Sequence, residues 1–250
     1  MTSTVKLRTV IIGLLGFAAA EEEILLTAGA AGAAAGGADG GTGEGPHRWA
    51  AVPLLAHTTE FKTQQSERIG ALRAGQTPPP FGEIDHASAS VYAGYAARTA
   101  QDVIGSSRAT TACLIDGVRA LRDEDLLDPS RHPWLNGRML WLQVIVRGFW
   151  HPTGHIADYY LRHGQPDRAV ALQSHALATA RYLGAPDAAR GMAAYGLACA
   201  QAQAGLADKA AEALAAAVAL NPDLRANAGR DPDLTALRDS GALAQILAGG

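Results

Sequence analysis

The stretch 139–155, Met-Leu-Trp-Leu-Gln-Val-Ile-Val-Arg-Gly-Phe-Trp-His-Pro-Thr-Gly-His, decides how this chain is read. Its first part, with Met139, Leu140, Trp141, Val144, Ile145, Val146, Phe149 and Trp150, is the most continuously apolar run in the sequence. A helix apolar on every side belongs inside a helical bundle. The run ends in His151-Pro152-Thr153-Gly154-His155. Histidines four apart share one helix face, so both imidazoles can address one ion. Pro152 has no amide hydrogen and its ring meets the carbonyl four residues back, at Gly148. This predicts a kink or restart between Gly148 and Pro152 that aims His151 inward. Alone, an H-x-x-x-H in a chain with eight histidines is also what two packed or surface histidines would give.

Upstream, the spacing predicts three more helices. Val10 to Ala20 is apolar and continues through Glu21-Glu22-Glu23 into Ile24-Leu25-Leu26, one helix of roughly six turns. Lys6 and Arg8 before that run, and Ala18-Ala19-Ala20 after it, also fit a secretory signal. The cytoplasmic helix is the preferred expectation, and the run is too short for a membrane span. Residues 31–46 are Gly-rich and read as a loop. Helix two spans about Trp49 to Arg73, with Leu54, Leu55, Phe61, Ile69 and Leu72 at helical spacing, and Gly75 with Pro78-Pro79-Pro80 stops it. Asp85 caps a third helix running from His86 towards Leu121, which Gly94 and Gly105-Ser106-Ser107 threaten to break. Asp123 to Pro133 reads as a charged turn, and helix four opens near Asn136.

Downstream the rhythm changes to paired helices with a Gly-containing turn. Tyr159 to Val170, turning at Gly164, is echoed by Ala198 to Ala211, turning at Gly205, and the second copy runs on to Asn221-Pro222. These hairpins are similar to tetratricopeptide repeats, with Gly184-Ala185-Pro186 adding a longer connection and Asp231 to Leu247 reading as a capping segment. The expected organisation is all-α, with a four-helix bundle over residues 1–156 and tetratricopeptide-like hairpins over 157–250.

Composition supports helices: 48% of residues are hydrophobic but only 6% aromatic, with Ala and Gly abundant, which suits close helix packing better than a β-sandwich. A formal charge of −3 and no Lys/Arg run argue against a nucleic-acid partner. Cys113 and Cys199 have no C-x-x-C spacing and read as small packed residues in a reducing compartment. No nucleotide-binding or serine-hydrolase motif stands in the required context.

His57, in Leu55-Ala56-His57-Thr58-Thr59-Glu60, joins the site only if helix two lies opposite helix four. One histidine early in helix two, with H-x-x-x-H in the last bundle helix and Ile156, Tyr159 and Gly164 after it, resembles the DinB/YfiT-like metalloprotein superfamily over roughly residues 5–164. The resemblance implies His57, His151 and His155 as ligands of zinc or nickel. Three neutral imidazoles leave positions open for water or substrate, as catalytic sites do. Members of the superfamily include thiol S-transferases, a thiol-dependent isomerase and hydrolytic self-resistance proteins, so the resemblance implies an enzyme acting on a reactive small molecule. The Ala- and Gly-rich composition hints at a high-GC actinobacterial genome, where mycothiol would be the natural thiol.

Around the ligands, Glu60 on the His57 face could take a proton or orient a ring, and Asp158, three after His155, could hold an imidazole N–H. Tyr92, Tyr95, Trp141 and Arg147 could line a pocket, though aromatic residues at this spacing are also ordinary core. His86 and His163 read as capping or surface residues, and His47, His132 and His175 carry no functional reading. The alternative is an interaction scaffold whose hairpins bind a protein or a second copy of the chain, beside an idle metal site; the repeat region is poor in the aromatic and Arg residues that make hot spots.

Overall fold

The computed structural model describes residues 4–34, 49–79 and 89–248, and among them all regular structure is helical. Residues 35–46 of the Gly-rich stretch, His47, Asp85 and His86 lie outside the described residues, as does the side chain of Tyr92. The chain divides into two compact units, Ser3–His155 and Ile156–Gly250. No described helix is long and apolar enough to cross a membrane.

The first unit begins with α1 (Thr4–Ala34) and α2 (Ala51–Arg73). Leu7, Val10, Ile11, Leu14, Leu15 and Ala18 form the buried stripe of α1, spaced three and four apart, and Leu25 and Leu26 extend it. α2 ends as its sequence requires: Gly75 takes φ 70°, and the amides of Gly75 and Gln76 bond back to the carbonyls of Leu72 and Ala71. α2 packs on α4 (Ala100–Ala120), which also packs on α1. Gly117 permits that approach, because a Cβ there would meet Ile69 Cγ2 at 2.7 Å.

The expected third helix is divided. α3 (Ala89–Ala96) stops before Thr99, and α4 starts after it. The break falls at neither Gly94 nor Gly105–Ser107. It falls where Thr99 Oγ1 accepts the Asp102 amide at 3.1 Å and Asp102 Oδ2 accepts the Thr99 amide at 3.3 Å. This reciprocal cap satisfies two helix-end donors, so the chain gains by restarting there.

The charged segment forms α5 (Asp123–Leu127) and two 3₁₀ turns, Pro129–Arg131 and Pro133–Leu135. The next helix opens four residues later than expected, as α6 (Leu140–Ile145), because Asn136 is left-handed at φ 51° and a right-handed helix cannot run through it. The expected kink before Pro152 is instead a π-helical turn over Val146–Trp150, closed by the His151 amide donating to the Val146 carbonyl. The wide turn accommodates a ring that an α-helical turn would press against the Gly148 carbonyl. Thr153 Oγ1 donates to the carbonyls of Phe149 and Trp150 at 2.9 and 3.1 Å. α7 (His151–Arg162) follows the turn.

A buried ionic network ties α1, α2 and α4 together. Lys62 Nζ donates to Glu22 Oε2 at 2.6 Å, Ser107 Oγ at 2.9 Å and Thr111 Oγ1 at 3.3 Å. Glu22 also accepts from Ser107 at 2.5 Å and Thr58 at 3.2 Å. All three donors of the ammonium are thereby used, which is the condition for burying it without a large loss of stability.

In the second unit, α9 (Asp187–Gln203) packs on both α8 (Pro166–Tyr182) and α10 (Ala207–Leu220). Gly164, Gly184 and Gly205 supply the positive φ at the three turns, 68°, 65° and 78°. After each, the next residue's amide bonds back to the preceding helix: Gln165 to Tyr160, Ala185 to Ala180 and Leu206 to Gln201. Small residues bring α9 close to its neighbours: at Gly191 a Cβ would meet Asn221 Cβ at 2.7 Å, and at Gly196 the Gln173 amide at 2.6 Å. The tail, α11 (Leu224–Ala228), α12 (Thr235–Asp239) and α13 (Ala242–Ala248), buries Leu224, Leu237 and Leu243. Cys199 is buried as expected; Cys113, expected to pack, is exposed on α4.

Candidate metal centre

His57 enters from the second turn of α2, and His151 and His155 from the first turns of α7. The three rings form a near-regular triangle with centroids 5.2, 5.1 and 4.5 Å apart. One nitrogen from each lies within 4.8 Å of the others. His57 is buried and the other two are partly so. His151 Nε2 and His155 Nε2 are 3.1 Å apart. Two ligands at zinc–nitrogen distances stand about 3.4 Å apart in a tetrahedron and about 2.9 Å apart in a cis octahedral pair, so this spacing suits either. The donor set and its spacing could hold a metal ion.

Aromatic rings enclose the triad. Phe61, one turn after His57, lies 4.3 Å from the His151 ring at a 33° tilt and 4.9 Å from His57. Trp49 meets His57 edge-on at 5.5 Å, and Tyr95 stands 5.7 Å from Trp49 and 6.4 Å from His57. Burial raises the Tyr95 phenol above its ordinary pKa, and the charge of Glu60 raises it further. Glu60 makes its hydrogen bond to Gln64 at 3.5 Å, none to a triad histidine, and its effect on the site runs through Tyr95.

Arg147 projects from the π-helical turn with its guanidinium carbon 4.7 Å from the Phe61 centroid. Burial, reinforced by nearby Arg68, lowers its pKa to about 10. Trp141, on α6, donates its indole N–H to Met139 Sδ at 3.1 Å. Asp158 belongs to the second unit, where its charge helps raise the Cys199 thiol. His163 Nδ1 stands 2.8 Å from the Tyr159 carbonyl and its ring stacks on Tyr159 at 4.0 Å. His132 is buried with Nε2 2.7 Å from the Asp125 carbonyl.

A second group of ligand-type atoms, Cys199, Asp231 and Asp233, lies in the second unit. Its geometry is explained without an ion. Asp231 accepts the Tyr195 hydroxyl at 2.6 Å and the Asp233 amide at 3.0 Å, fastening the tail segment to α9. Burial first, and the neighbouring carboxylates next, keep the Cys199 thiol well above its usual pKa and therefore protonated.

Sequence reasoning missed the places of Phe61 and Trp49 beside the triad. For Phe61 a signal existed, since position i+4 shares the face of His57. No protein family, curated protein or solved structure matches the chain.

Proposed function

We propose that the chain is a metal-dependent enzyme of the DinB/YfiT-like kind, a four-helix bundle followed by tetratricopeptide-like hairpins, acting on a reactive small molecule by thiol S-transfer or hydrolysis. The observation that carries the reading is the convergence of three imidazoles from two helices on one point inside an aromatic enclosure. His57, His151 and His155 would hold zinc or nickel and leave at least one coordination position to a reactant. A cation there lowers the pKa of a bound water or thiol towards neutrality and so supplies a nucleophile.

The remaining chemistry belongs to the chain's own side chains. Trp49 and Phe61 exclude water from the face of His57, which strengthens every electrostatic interaction at the site. Tyr95, held protonated by burial and by Glu60 and with its ring 6.4 Å from that of His57, would serve as the proton donor to a leaving group.

Metal analysis of the purified protein tests the reading. About one ion per chain is expected for three imidazole ligands. His57→Ala and His151→Ala should each lose it while helical circular dichroism persists, and an unchanged metal content in both variants removes the proposal. Mycothiol then separates the two reactions, because a transferase is stabilised by its thiol in a thermal melt and a hydrolase is not.

A further inference from the structure

Three imidazoles hold one ion only while their rings stay turned to one point. The terminal torsion of a histidine is broad and roughly two-fold, so its backbone position alone does not fix the ring. A ligand has to be held to within about 10–20° by what packs on it. His57 and His151 come from different helices, α2 and α7, and one side chain touches both rings. It is Phe61.

Phe61 shares the α2 face of His57, and its ring meets that imidazole edge-on, with centroids 4.9 Å apart at 64°. Towards α7 it lies 4.3 Å from the His151 ring at 33°, close to a parallel stack. Aromatic pairs that meet edge to face need about 4.5–7 Å, so turning the His151 imidazole on edge would drive it into the phenyl face. The Arg147 guanidinium lies over the same phenyl, 4.7 Å from its centroid, and steadies it in turn. Arg147 belongs to the π-helical turn and His151 follows that turn, so Phe61 engages this segment twice from α2. Its neighbours Lys62 and Gln65 are buried while Phe61 is only partly so, which makes it a wall of the site and not a filler of the bundle core.

We infer that Phe61 is a positioning residue of the metal centre: its phenyl, stacked on His151 and in contact with His57, holds the ligand rings of two helices turned to one ion. The inference rests on the metal reading above and deepens it. Phe61 contributes no ligand atom and acts through the imidazoles, so what it sets is the coordination geometry. A flat face is what does this, and an aliphatic side chain of similar bulk would exclude water without orienting a ring.

The test loads cobalt(II) into the unsubstituted protein, Phe61→Leu and Phe61→Tyr. It reads affinity together with the visible ligand-field bands, which shift and weaken when water replaces an imidazole. Phe61→Leu should bind roughly 10–100-fold more weakly, the usual effect of removing a group that orients a ligand, and its bands should change. Phe61→Tyr keeps the flat face and should retain both affinity and bands. Phe61→Met, flexible and without a flat face, replaces Phe61→Leu if circular dichroism shows that variant unfolded. Unchanged affinity and bands in Phe61→Leu overturn the inference. So does weaker binding with unchanged bands, since the rings then still face the ion, and so does an equal loss in Phe61→Tyr.

A second arm uses metal-free protein with ring-labelled histidine, read by NMR, the His151 signals being assigned by their absence from His151→Ala. One set of His151 ring signals is expected for the unsubstituted protein and Phe61→Tyr, and broadened or multiple signals for Phe61→Leu. Identical His151 signals in all three overturn the inference. If cobalt does not bind the unsubstituted protein, the metal reading falls, and this arm alone decides whether Phe61 holds the His151 ring.

Discussion

Replacing Lys62 with methionine leaves an unbranched apolar side chain one atom shorter and removes the charge. The ammonium it removes is the partner of Glu22 at 2.6 Å, in a pair whose side chains are 2% and 1% exposed. What remains around the Glu22 carboxylate is the Ser107 and Thr58 hydroxyls, two neutral donors for a buried anion. Breaking a buried pair on one side costs about 3–5 kcal/mol, whereas removing both charges costs far less. Lys62→Met should therefore destabilise the first unit by about 3–5 kcal/mol, or roughly 6–20 °C for a unit of this size. The double variant Glu22→Gln/Lys62→Met should recover all but about 1–2 kcal/mol of that loss. Trp49, Trp134, Trp141 and Trp150 are the chain's four tryptophans and all lie in Ser3–His155, so their fluorescence in urea follows this unit alone. The cycle is read from transition midpoints at constant m. A loss under about 1 kcal/mol for Lys62→Met, or no recovery in the double variant, would refute the reasoning.

Two other outcomes follow from packing and from a raised pKa. Gly148→Ala places a Cβ 2.2 Å from Leu15 Cδ2 and 3.2 Å from Leu114 Cδ2, so it should cost about 1–3 kcal/mol in the same urea assay and lower cobalt affinity by displacing the π-helical turn. Retention of both stability and affinity would show that the turn yields easily. Cys113 should react with a thiol reagent in the native protein while Cys199 does not, read by mass spectrometry of labelled peptides. Because Cys199 holds its proton more tightly folded than unfolded, its contribution to stability is complete below the ordinary thiol pKa of about 8.5 and is lost as pH rises through the elevated native value. The alkaline fall in melting temperature should thus be shallower in Cys199→Ala, and an identical slope would count against it.

The ends of most helices were legible because local chemistry sets them. Gly75, Gly164 and Gly205 stop helices wherever a left-handed residue is needed, and no distant contact can change that. The division at Thr99 was equally local, and a T-x-x-D signature stands in the sequence, but the continuous apolar spacing from Val91 to Leu121 obscured it. The i, i+4 histidines announced a shared face. Spacing alone does not bring His57 to them; that requires α2 to pack on the π-helical turn, a tertiary fact. The Glu22–Lys62 pair was illegible for the same reason. A Glu in an acidic triplet and a Lys in a polar helix both read as surface residues until packing turns them towards each other.

The extra residue in the Val146–Trp150 turn has an implication for how this segment tolerates change. Its five residues sweep about the angle that four sweep in an α-helix, so the turn absorbs one residue without turning His151 and His155 away from His57. Deleting one of those positions would restore about 3.6 residues per turn with the ligands near their present bearing, but would press the Pro152 ring against the carbonyl four residues before it. Single-deletion variants between Val146 and Trp150 should therefore still load metal while losing stability, and loss of metal with stability unchanged would count against this.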